Sequence, residues 1–540
     1  MISHLDQTKC SGCGLCFKTC PLDVYRLDTD QPDISPCMGA CPAGTDIRGV
    51  NYLLQQAKFR EALDKLHQTM PFPAVTGHIC PHPCEKECTR HKLDESVNIN
   101  AIEEFLGELD LEAPAPVVSR QHIFSVAVVG SGPAGLSAAW YLSMAGYPVT
   151  VFEMKKEPGG MLRYGIPEYR LPSSVVNTYI ERLKFMGVKF VCNVRIGEHA
   201  DLSLSDLKKQ GFHAVVLAPG ASEGRTLPGK AGSLPGVYSA LDFLASMRSE
   251  TPLQVHGKDV LVIGGGSVAA DAAISAARNG AKKVHLVCLE QRSEMPALPE
   301  DIRDAENYSI TIHNGWGLND IEHDGTVNKL SFKACASVFD EKGCFRPSFD
   351  EGRTISLTAD MVIAAIGQAV DAGDFSESLK LNARNCIVAD PETFSTSMEH
   401  IFAAGDAVSG PATVVGAIRS GREAAVSVHH DIIGMHLHLN REQHRNVVPS
   451  MPLDGLETSH RVNRKELPLG ASRLREGFDL EQAATEVQRC LTCGGRARIA
   501  YGDECMTCFF CELRCPAGAI DVHPYKEVLP RTLEMMGGSD

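Results

Sequence analysis

The sequence predicts an α/β protein in which two Rossmann-like units are preceded by a helical, cysteine-rich segment and accompanied by a small α+β module drawn from both termini. Three observations carry this prediction. A glycine-rich turn between a strand and a helix occurs twice, at residues 130–135 and 264–269. Fifteen of the twenty cysteines lie within positions 10–88 and 490–515. The run C-x2-C-x2-C-x3-C-P stands near each end, at Cys10, Cys13, Cys16 and Cys20 and again at Cys505, Cys508, Cys511 and Cys515.

With 540 residues the chain is too long for one core, and two to four domains are expected. Hydrophobic content of 44% and charged content of 22% are ordinary for a globular protein. The net charge of −15 argues against nucleic-acid binding and favours a basic docking partner. No run of about eighteen apolar residues occurs, and Met1-Ile2-Ser3-His4 does not open a signal peptide, so no membrane span and a cytoplasmic location are expected.

The cysteines recur at C-x2-C and C-x3-C spacing, which suits thiolate ligands better than a disulfide framework. Zinc accounts for any single C-x2-C pair, but the longer run ending in Cys-Pro is the mark of a bacterial-ferredoxin iron–sulfur site. In two-cluster ferredoxins the fourth cysteine of each run serves the other cluster. The expected sets are therefore Cys10, Cys13, Cys16 with Cys515, and Cys505, Cys508, Cys511 with Cys20. The alternative is that each half pairs with another subunit or another copy. Cys192, Cys288, Cys335, Cys344 and Cys386 stand alone and are expected to be small buried hydrophobes.

Residues 124–130 read as a buried strand, and Gly130-x-Gly132-Pro133-Ala134-Gly135 opens an alanine-rich helix reaching about Ala145. The following strand ends in Glu153, 23 residues after the first glycine. The glycines allow a tight turn and close approach of a pyrophosphate, the helix N-terminus supplies a positive dipole, and the acid accepts a ribose 2′-hydroxyl. The pattern recurs as a strand over Lys258–Ile263, then Gly264-x-Gly266-Ser267-Val268-Ala269, a helix to about Asn279, and a strand ending at Glu290, 26 residues after Gly264. Two such sites suggest one tightly held flavin and one exchangeable nicotinamide nucleotide. The segment Ala404-Gly405-Asp406, before a helix from about Thr413, is expected to close the flavin site, with Asp406 on the ribityl chain; the alternative is an ordinary turn with a surface Asp.

With these residues in hand, the chain resembles the small-subunit family of glutamate synthase, which includes the N-terminal half of dihydropyrimidine dehydrogenase and the large subunit of NADH-dependent ferredoxin:NADP oxidoreductase. The resemblance covers about residues 36–435. Its marks are Cys37-x3-Cys41-Pro42, Thr76-Gly77-x-x-Cys80-Pro81-x-x-Cys84-x3-Cys88, Gly159-Gly160-Met161-Leu162-Arg163-Tyr164-Gly165-Ile166-Pro167, and Glu294-Met295-Pro296-Ala297. It implies FAD at the first glycine motif, with Gly160, Met161, Arg163, Gly165, Ile166 and Gly220 completing the site. It implies NAD(P)H at the second motif, completed by Gly367, and two [4Fe–4S] clusters in the helical domain. Members that use NADPH carry two arginines where this chain has Leu289 and Glu290. A carboxylate there repels a 2′-phosphate, so NADH is expected, with Arg292 nearby as the opposing charge.

The family's R-C-L-x-C pair upstream of position 37 is missing, and Glu481–Arg489 followed by Cys490-Leu491-Thr492-Cys493 looks like that segment displaced to the C-terminus. In relatives one cluster takes three cysteines and a Gln or Glu; alignment puts Glu103 there, unless it is a solvated acid like its neighbour Glu104. The sets implied are Cys41, Cys80, Cys84, Cys88 and Cys37, Cys490, Cys493, Glu103. With the terminal sets they make sixteen ligands for four clusters. The expected organisation is 1–35 and 490–540 as ferredoxin halves and C-terminal iron–sulfur segment, 36–118 helical iron–sulfur, 119–225 and 369–434 FAD, 226–368 NAD(H), and 435–489 strap and helix. Function is expected to be electron transfer between NAD(H), FAD, a chain of clusters and a ferredoxin or catalytic subunit of a hetero-oligomeric complex, with no catalytic acid or base. A glutamate synthase small subunit and a non-catalytic relay are the alternatives.

Overall fold

A computed structural model describes the chain apart from residues 11, 23, 324–327, 440, 442–445, 449–450, 452, 454–455 and 524–540. Two five-stranded parallel sheets form its centre. In the first, the strands run in the order Ile401–Ala403, Phe212–Leu217, Ser125–Val129, Val149–Glu153, Lys189–Cys192. Its edge strand Ile401–Ala403 enters only after the second sheet is complete, so the first unit is split, as the position of Ala404-Gly405-Asp406 led us to expect. The second sheet has the order Thr311–Asn314, Lys283–Cys288, Asp259–Ile263, Met361–Ala364, Val237–Ser239. Both central strands are continuous apolar runs, Val126–Val129 and Val260–Ile263, buried because helices cover both faces of a parallel sheet. Each is followed by its glycine turn at the carboxyl end, where doubly wound sheets bind ligands. An antiparallel sheet, Trp316–His323, Asn328–Phe339 and Phe345–Ala359, is inserted ahead of Met361–Ala364.

The cysteine-rich segment before these sheets is helical. Asp46 and Asn98 cap the helices Ile47–Gln55 and Ile99–Glu112 by accepting from the backbone N–H of Gly49 and Ala101. Helix Pro73–Ile79 lies against Ile99–Glu112 at glycine contacts: a Cβ on Gly77 would fall 2.4 Å from Glu104 Cα, and one on Gly107 2.4 Å from Ala74 Cα. That closeness brings Thr76 and Cys80 to the side chain of Glu103.

The termini meet. Ile2–Leu5 pairs antiparallel with Ile520–Val522, and Tyr25–Asp28 with Arg496–Ile499. The return is made by the strap, which is pinned by arginines to the body of the protein. Arg461 pairs with Glu85 at 2.7 Å, Arg464 with Glu104 at 2.8 Å and Arg475 with Asp304 at 2.8 Å. The helix Leu480–Val487 is closed by a capping box at Asp479. Beyond it, buried Arg489 pairs with Asp94 at 2.9 Å and Glu486 at 2.7 Å, while Glu486 also accepts from the N–H groups of Asn98 and Val462.

Candidate functional site

At the first glycine turn, Gly130 has φ +96° and a Cβ there would strike Ala218 O at 2.2 Å; one on Gly135 would strike Gly130 O at 2.0 Å. These glycines are needed for packing. Gly132 and Gly220 face open space instead, with nothing within 4 Å of a Cβ. They leave the room that a pyrophosphate requires beside the start of helix Pro133–Met144. Gly160 crosses over this turn, its Cβ position 2.6 Å from Gly132 Cα. The helical turn Met161–Tyr164 follows, ending in Gly165 and Ile166, whose N–H groups both donate to Met161 O at 3.0 Å; Arg163 Nε donates to Pro158 O at 2.8 Å. Glu153 is buried and accepts from Ser131 N at 3.0 Å, so it braces the turn as well as ending its strand. From the far side, Gly405 abuts Ala134, and its N–H donates to Ser420 Oγ at 2.8 Å. Thr413 caps the helix Val414–Ile432 by accepting from Gly416 N. Burial pushes the Asp406 carboxyl up to about 6. The side chain is half-buried.

The second turn opens on a cleft of about 940 Å³ lined by Gly264, Gly266, Ser267, Val268, Glu290 and Gly367, among others. Gly264 is at φ +144°, with a Cβ position 2.3 Å from Ala365 O, whereas Gly266 faces open space. Ala269 is wholly buried and serves helix packing instead of lining the cleft. The Glu290 carboxylate lies across Gly265, 2.5 Å from a Cβ position there. Arg292 is not among the lining residues and is paired with Glu306 at 2.7 Å. Trp316, Phe345 and Phe349 of the antiparallel sheet complete the wall. The glycine pattern gave no sign of them, because they belong to an insertion with no motif of its own.

Four groups of cysteines are assembled. Cys16 has Cys13, Cys10 and Cys515 around it, and burial first, then these neighbours, raise its thiol. Cys20, Cys505, Cys508 and Cys511 line a second void, with Tyr25 OH donating to Cys511 Sγ at 3.1 Å. The two terminal runs are thus brought together within one chain, Cys515 beside the first run and Cys20 beside the second.

The two internal sets differ from expectation. Cys88 lines one void with Cys37, Cys490 and Cys493, while Glu103 stands with Cys80 and Cys41; Cys84 adjoins Cys41 and Cys80. Cys88 and Glu103 have exchanged places. The cause is the short helix Pro83–Lys86, which stops before Cys88 and leaves that residue extended at φ −64°, ψ 121°. Cys84 and Cys88 therefore do not share a face as a continued helix would require. Burial pushes the Glu103 carboxyl up to about 7, and Thr76 Oγ1 donates to it at 2.5 Å. Its neighbour Glu104 is no solvated acid either: it is buried between Arg464 and Arg473.

The donor set fits iron–sulfur ligation. All twenty cysteines are free thiols. Burial raises the thiols of Cys16, Cys37, Cys80, Cys84, Cys88, Cys493 and Cys511, so a cationic group is needed to hold them as thiolates. Among the described residues no three His, Cys, Asp or Glu converge on a point suited to one metal ion. Donors surround the sulfurs: Ser35 Oγ is 3.1 Å from Cys37 Sγ, and N–H groups of His82, Ala497 and Ala519 reach Cys80, Cys10 and Cys515 at 3.3–3.4 Å. Of the lone cysteines, Cys288, Cys335 and Cys386 are buried as expected, but Cys192 is only partly so and Cys344 is exposed in the turn before strand Phe345–Ala359.

The groups adjoin one another. Cys37 lies near Cys84. Lys18, beside Cys13, donates to Gln488 O at 2.6 Å and Cys490 O at 3.0 Å. Tyr25 stands among Cys511, Cys16 and Cys20. At the inner end, Arg422 and Arg419 of the helix Val414–Ile432 donate to Ala43 O and Pro42 O, immediately after Cys41. No described helix is long and apolar enough to cross a membrane.

Comparison with known proteins agrees with this arrangement. Residues 124–421 match the family Pyridine nucleotide-disulphide oxidoreductase, residues 31–114 match Dihydropyrimidine dehydrogenase domain II, 4Fe-4S cluster, and residues 4–26 match the 4Fe-4S binding domain. The chain is 34% identical to the NADP(+)-dependent formate dehydrogenase subunit beta of Moorella thermoacetica over 73% of its own length, and spans 59% of that protein. It is 32% identical to the NADPH-Fe(3+) oxidoreductase subunit beta of Geobacter sulfurreducens, over 88% of this chain and 77% of that one. It is 33% identical to the NAD-dependent dihydropyrimidine dehydrogenase subunit PreT of Escherichia coli O157:H7, over 74% and 92%. The fold of FprA from Mycobacterium tuberculosis superposes with TM-score 0.50 at 18% identity, over 58% of this chain and 85% of that one. The chain belongs to the pyridine nucleotide-disulphide oxidoreductase family and carries, ahead of that domain, 4Fe-4S domains of the dihydropyrimidine dehydrogenase and ferredoxin types.

Proposed function

We propose that the chain is an NADH:acceptor oxidoreductase subunit that connects NAD(H), through FAD and four [4Fe–4S] clusters, with a ferredoxin or a catalytic subunit of a larger cytoplasmic hetero-oligomer. The observation that carries this reading is the unbroken succession of cysteine groups from the Cys41 loop, tied to the helix Val414–Ile432, out to the Cys505–Cys511 loop. Bound at these sites, FAD supplies the conversion of a nicotinamide's electron pair into single electrons, and the clusters supply one-electron carriers. The chain's own residues bind and orient. Gly130, Gly132 and Gly160 leave space for the FAD pyrophosphate, and Asp406 and Thr413 close that site. Gly264, Gly266 and Gly367 admit the nicotinamide nucleotide, with Glu290 accepting a ribose 2′-hydroxyl. Glu103, in place of Cys88, completes the set of Cys41, Cys80 and Cys84.

The β subunits among the relatives support a heteromeric assembly. Two of the relatives named above are named for NADP and one for NAD; NADH is read here from Glu290 in the cleft and from Arg292, which is engaged by Glu306 outside it. Anaerobically purified, flavin-replete protein is expected to contain about sixteen irons per chain and to reduce viologen with NADH, with kcat/KM higher than for NADPH. About eight irons would remove the terminal sets from the scheme, and absent viologen reduction would reject the enzyme reading. A clear NADPH preference would refute the role given to Glu290.

A further inference from the structure

A cleft of about 530 Å³ opens where Tyr25–Asp28 pairs with Arg496–Ile499. Arg26, Lys58 and Arg498 line it, together with Tyr52 and Tyr501, and no carboxylate is among the lining residues. Arg26 and Arg498 are direct cross-strand partners, and like charges so placed weaken a strand pair. Arg26 is steadied at 5.6 Å over the Tyr501 ring and donates to Tyr25 O at 3.1 Å, while Lys58 and Arg498 stay exposed. Asp28, on the same strand as Arg26, opposes Arg496 and is not among the lining residues. In a chain of net charge −15, this is a local reversal of sign. The expectation of a basic partner, drawn from net charge alone, does not describe this surface.

The floor of the cleft leads to the thiols. Leu27 packs on Gly14 and Gly495, and Tyr52 accepts from Leu27 N at 3.0 Å while its ring meets Phe17 edge-on at 5.7 Å. Gly14 and Phe17 belong to the loop of Cys16, and Gly495 stands two residues after Cys493, so Leu27 and Tyr52 join the cleft to the loops that carry two cysteine groups.

We propose that this cleft docks an acidic surface segment of a one-electron carrier protein of the ferredoxin class, whose carboxylates seat on Lys58 and Arg498. The inference rests on the oxidoreductase reading above and adds the place and charge of the partner. One NADH, oxidised to NAD+ with release of a proton, supplies two electrons, one to each of two oxidised carriers. Charge of this kind speeds encounter and fixes orientation, both with strong dependence on salt.

Holoprotein mixed with an acidic two-cluster ferredoxin and a water-soluble carbodiimide, which couples lysine amines to carboxylates, is expected to give a cross-link through Lys58 that high salt abolishes. The double variant Lys58→Glu, Arg498→Glu is expected to raise KM for that ferredoxin about tenfold at low ionic strength and to flatten its salt dependence, while NADH still reduces the neutral quinone menadione at the wild-type rate. Cross-links confined to other lysines, an unchanged KM in the double variant, or ferredoxin docking governed instead by Met506, Phe510 and Leu513, which are exposed on the C-terminal cysteine loop, would overturn the proposal. Wild-type holoprotein unable to oxidise NADH with menadione would sink the oxidoreductase reading instead.

Discussion

In the N-terminal cysteine run the two left-handed positions are Gly12 and Gly14, both at φ +71°; in the C-terminal run the equivalent positions are Thr507 and Phe509, at φ +59° and +62°. A residue with a Cβ costs about 1–2 kcal/mol in that conformation, yet the second run bears it twice. The cysteine loop itself therefore does not demand glycine. Neighbours do. A Cβ on Gly12 would lie 1.8 Å from Gly495 O, and Thr492 Oγ1 donates to Gly12 O at 3.1 Å, so the N-terminal loop is pressed onto the Cys490–Cys493 loop. The C-terminal loop faces outward, with Met506 63%, Phe510 55% and Leu513 78% exposed. One motif is used as an inner junction and the other as an outer face.

The comparison breaks most severely at Arg489, which holds the returning chain in place for both halves. Arg489→Met leaves Glu486 without its buried cation, while Asp94 keeps Arg90 at 2.6 Å, and is expected to cost about 4 kcal/mol, measured by denaturant unfolding of the holoprotein, with faster hydrogen exchange at residues 490–515. Gly12→Ala comes next, at about 3 kcal/mol from overlap and left-handed strain together; Thr507→Ala is its control and is expected to fall within about 0.5 kcal/mol of wild type. Equal losses in the two would erase the distinction between inner and outer loops. Tyr25→Phe removes the hydroxyl donor to Cys511. It is expected to lower the potential of the Cys505–Cys511 centre by about 40 mV, the equivalent of a hydrogen bond of ~1 kcal/mol, and to leave the Cys10–Cys16 centre unmoved in an EPR-monitored titration. Thr507→Gly is the smallest effect, a gain of about 0.5 kcal/mol as relief of strain exceeds loss of the bond that Thr507 Oγ1 accepts from the Met1 amino group. A net loss would mean that this bond outweighs the strain.

What could be read from sequence was whatever local spacing determines. The two glycine turns, their strands and the exchange of Cys20 and Cys515 follow from short motifs whose geometry travels with them. The allocation of Cys88 and Glu103 did not, because it depends on where a one-turn helix ends and on the glycine-mediated approach of Pro73–Ile79 to Ile99–Glu112, which brings Thr76 to Glu103. Nor did the aromatic wall of Phe345 and Phe349 or the basic cleft at Arg26 and Arg498 announce themselves. Each is made by cross-strand or inter-element pairing of residues unremarkable in their own neighbourhoods.

The spread of the four sets along the chain also sets a timetable for biosynthesis. Cys41, Cys80, Cys84 and Glu103 are all in hand once residue 103 has been added. Cys37 and Cys88 wait for Cys490 and Cys493, and Cys10, Cys13, Cys16 and Cys20 wait for the segment 505–515. At ordinary translation rates that interval of some 400–500 residues lasts roughly 20 to 100 s. On the proposed allocation the earliest thiols lack their partners throughout that interval, so the set of Cys41, Cys80, Cys84 and Glu103 is expected to close first, and the terminal sets are expected to stay open to oxidation until the last tenth of the chain emerges.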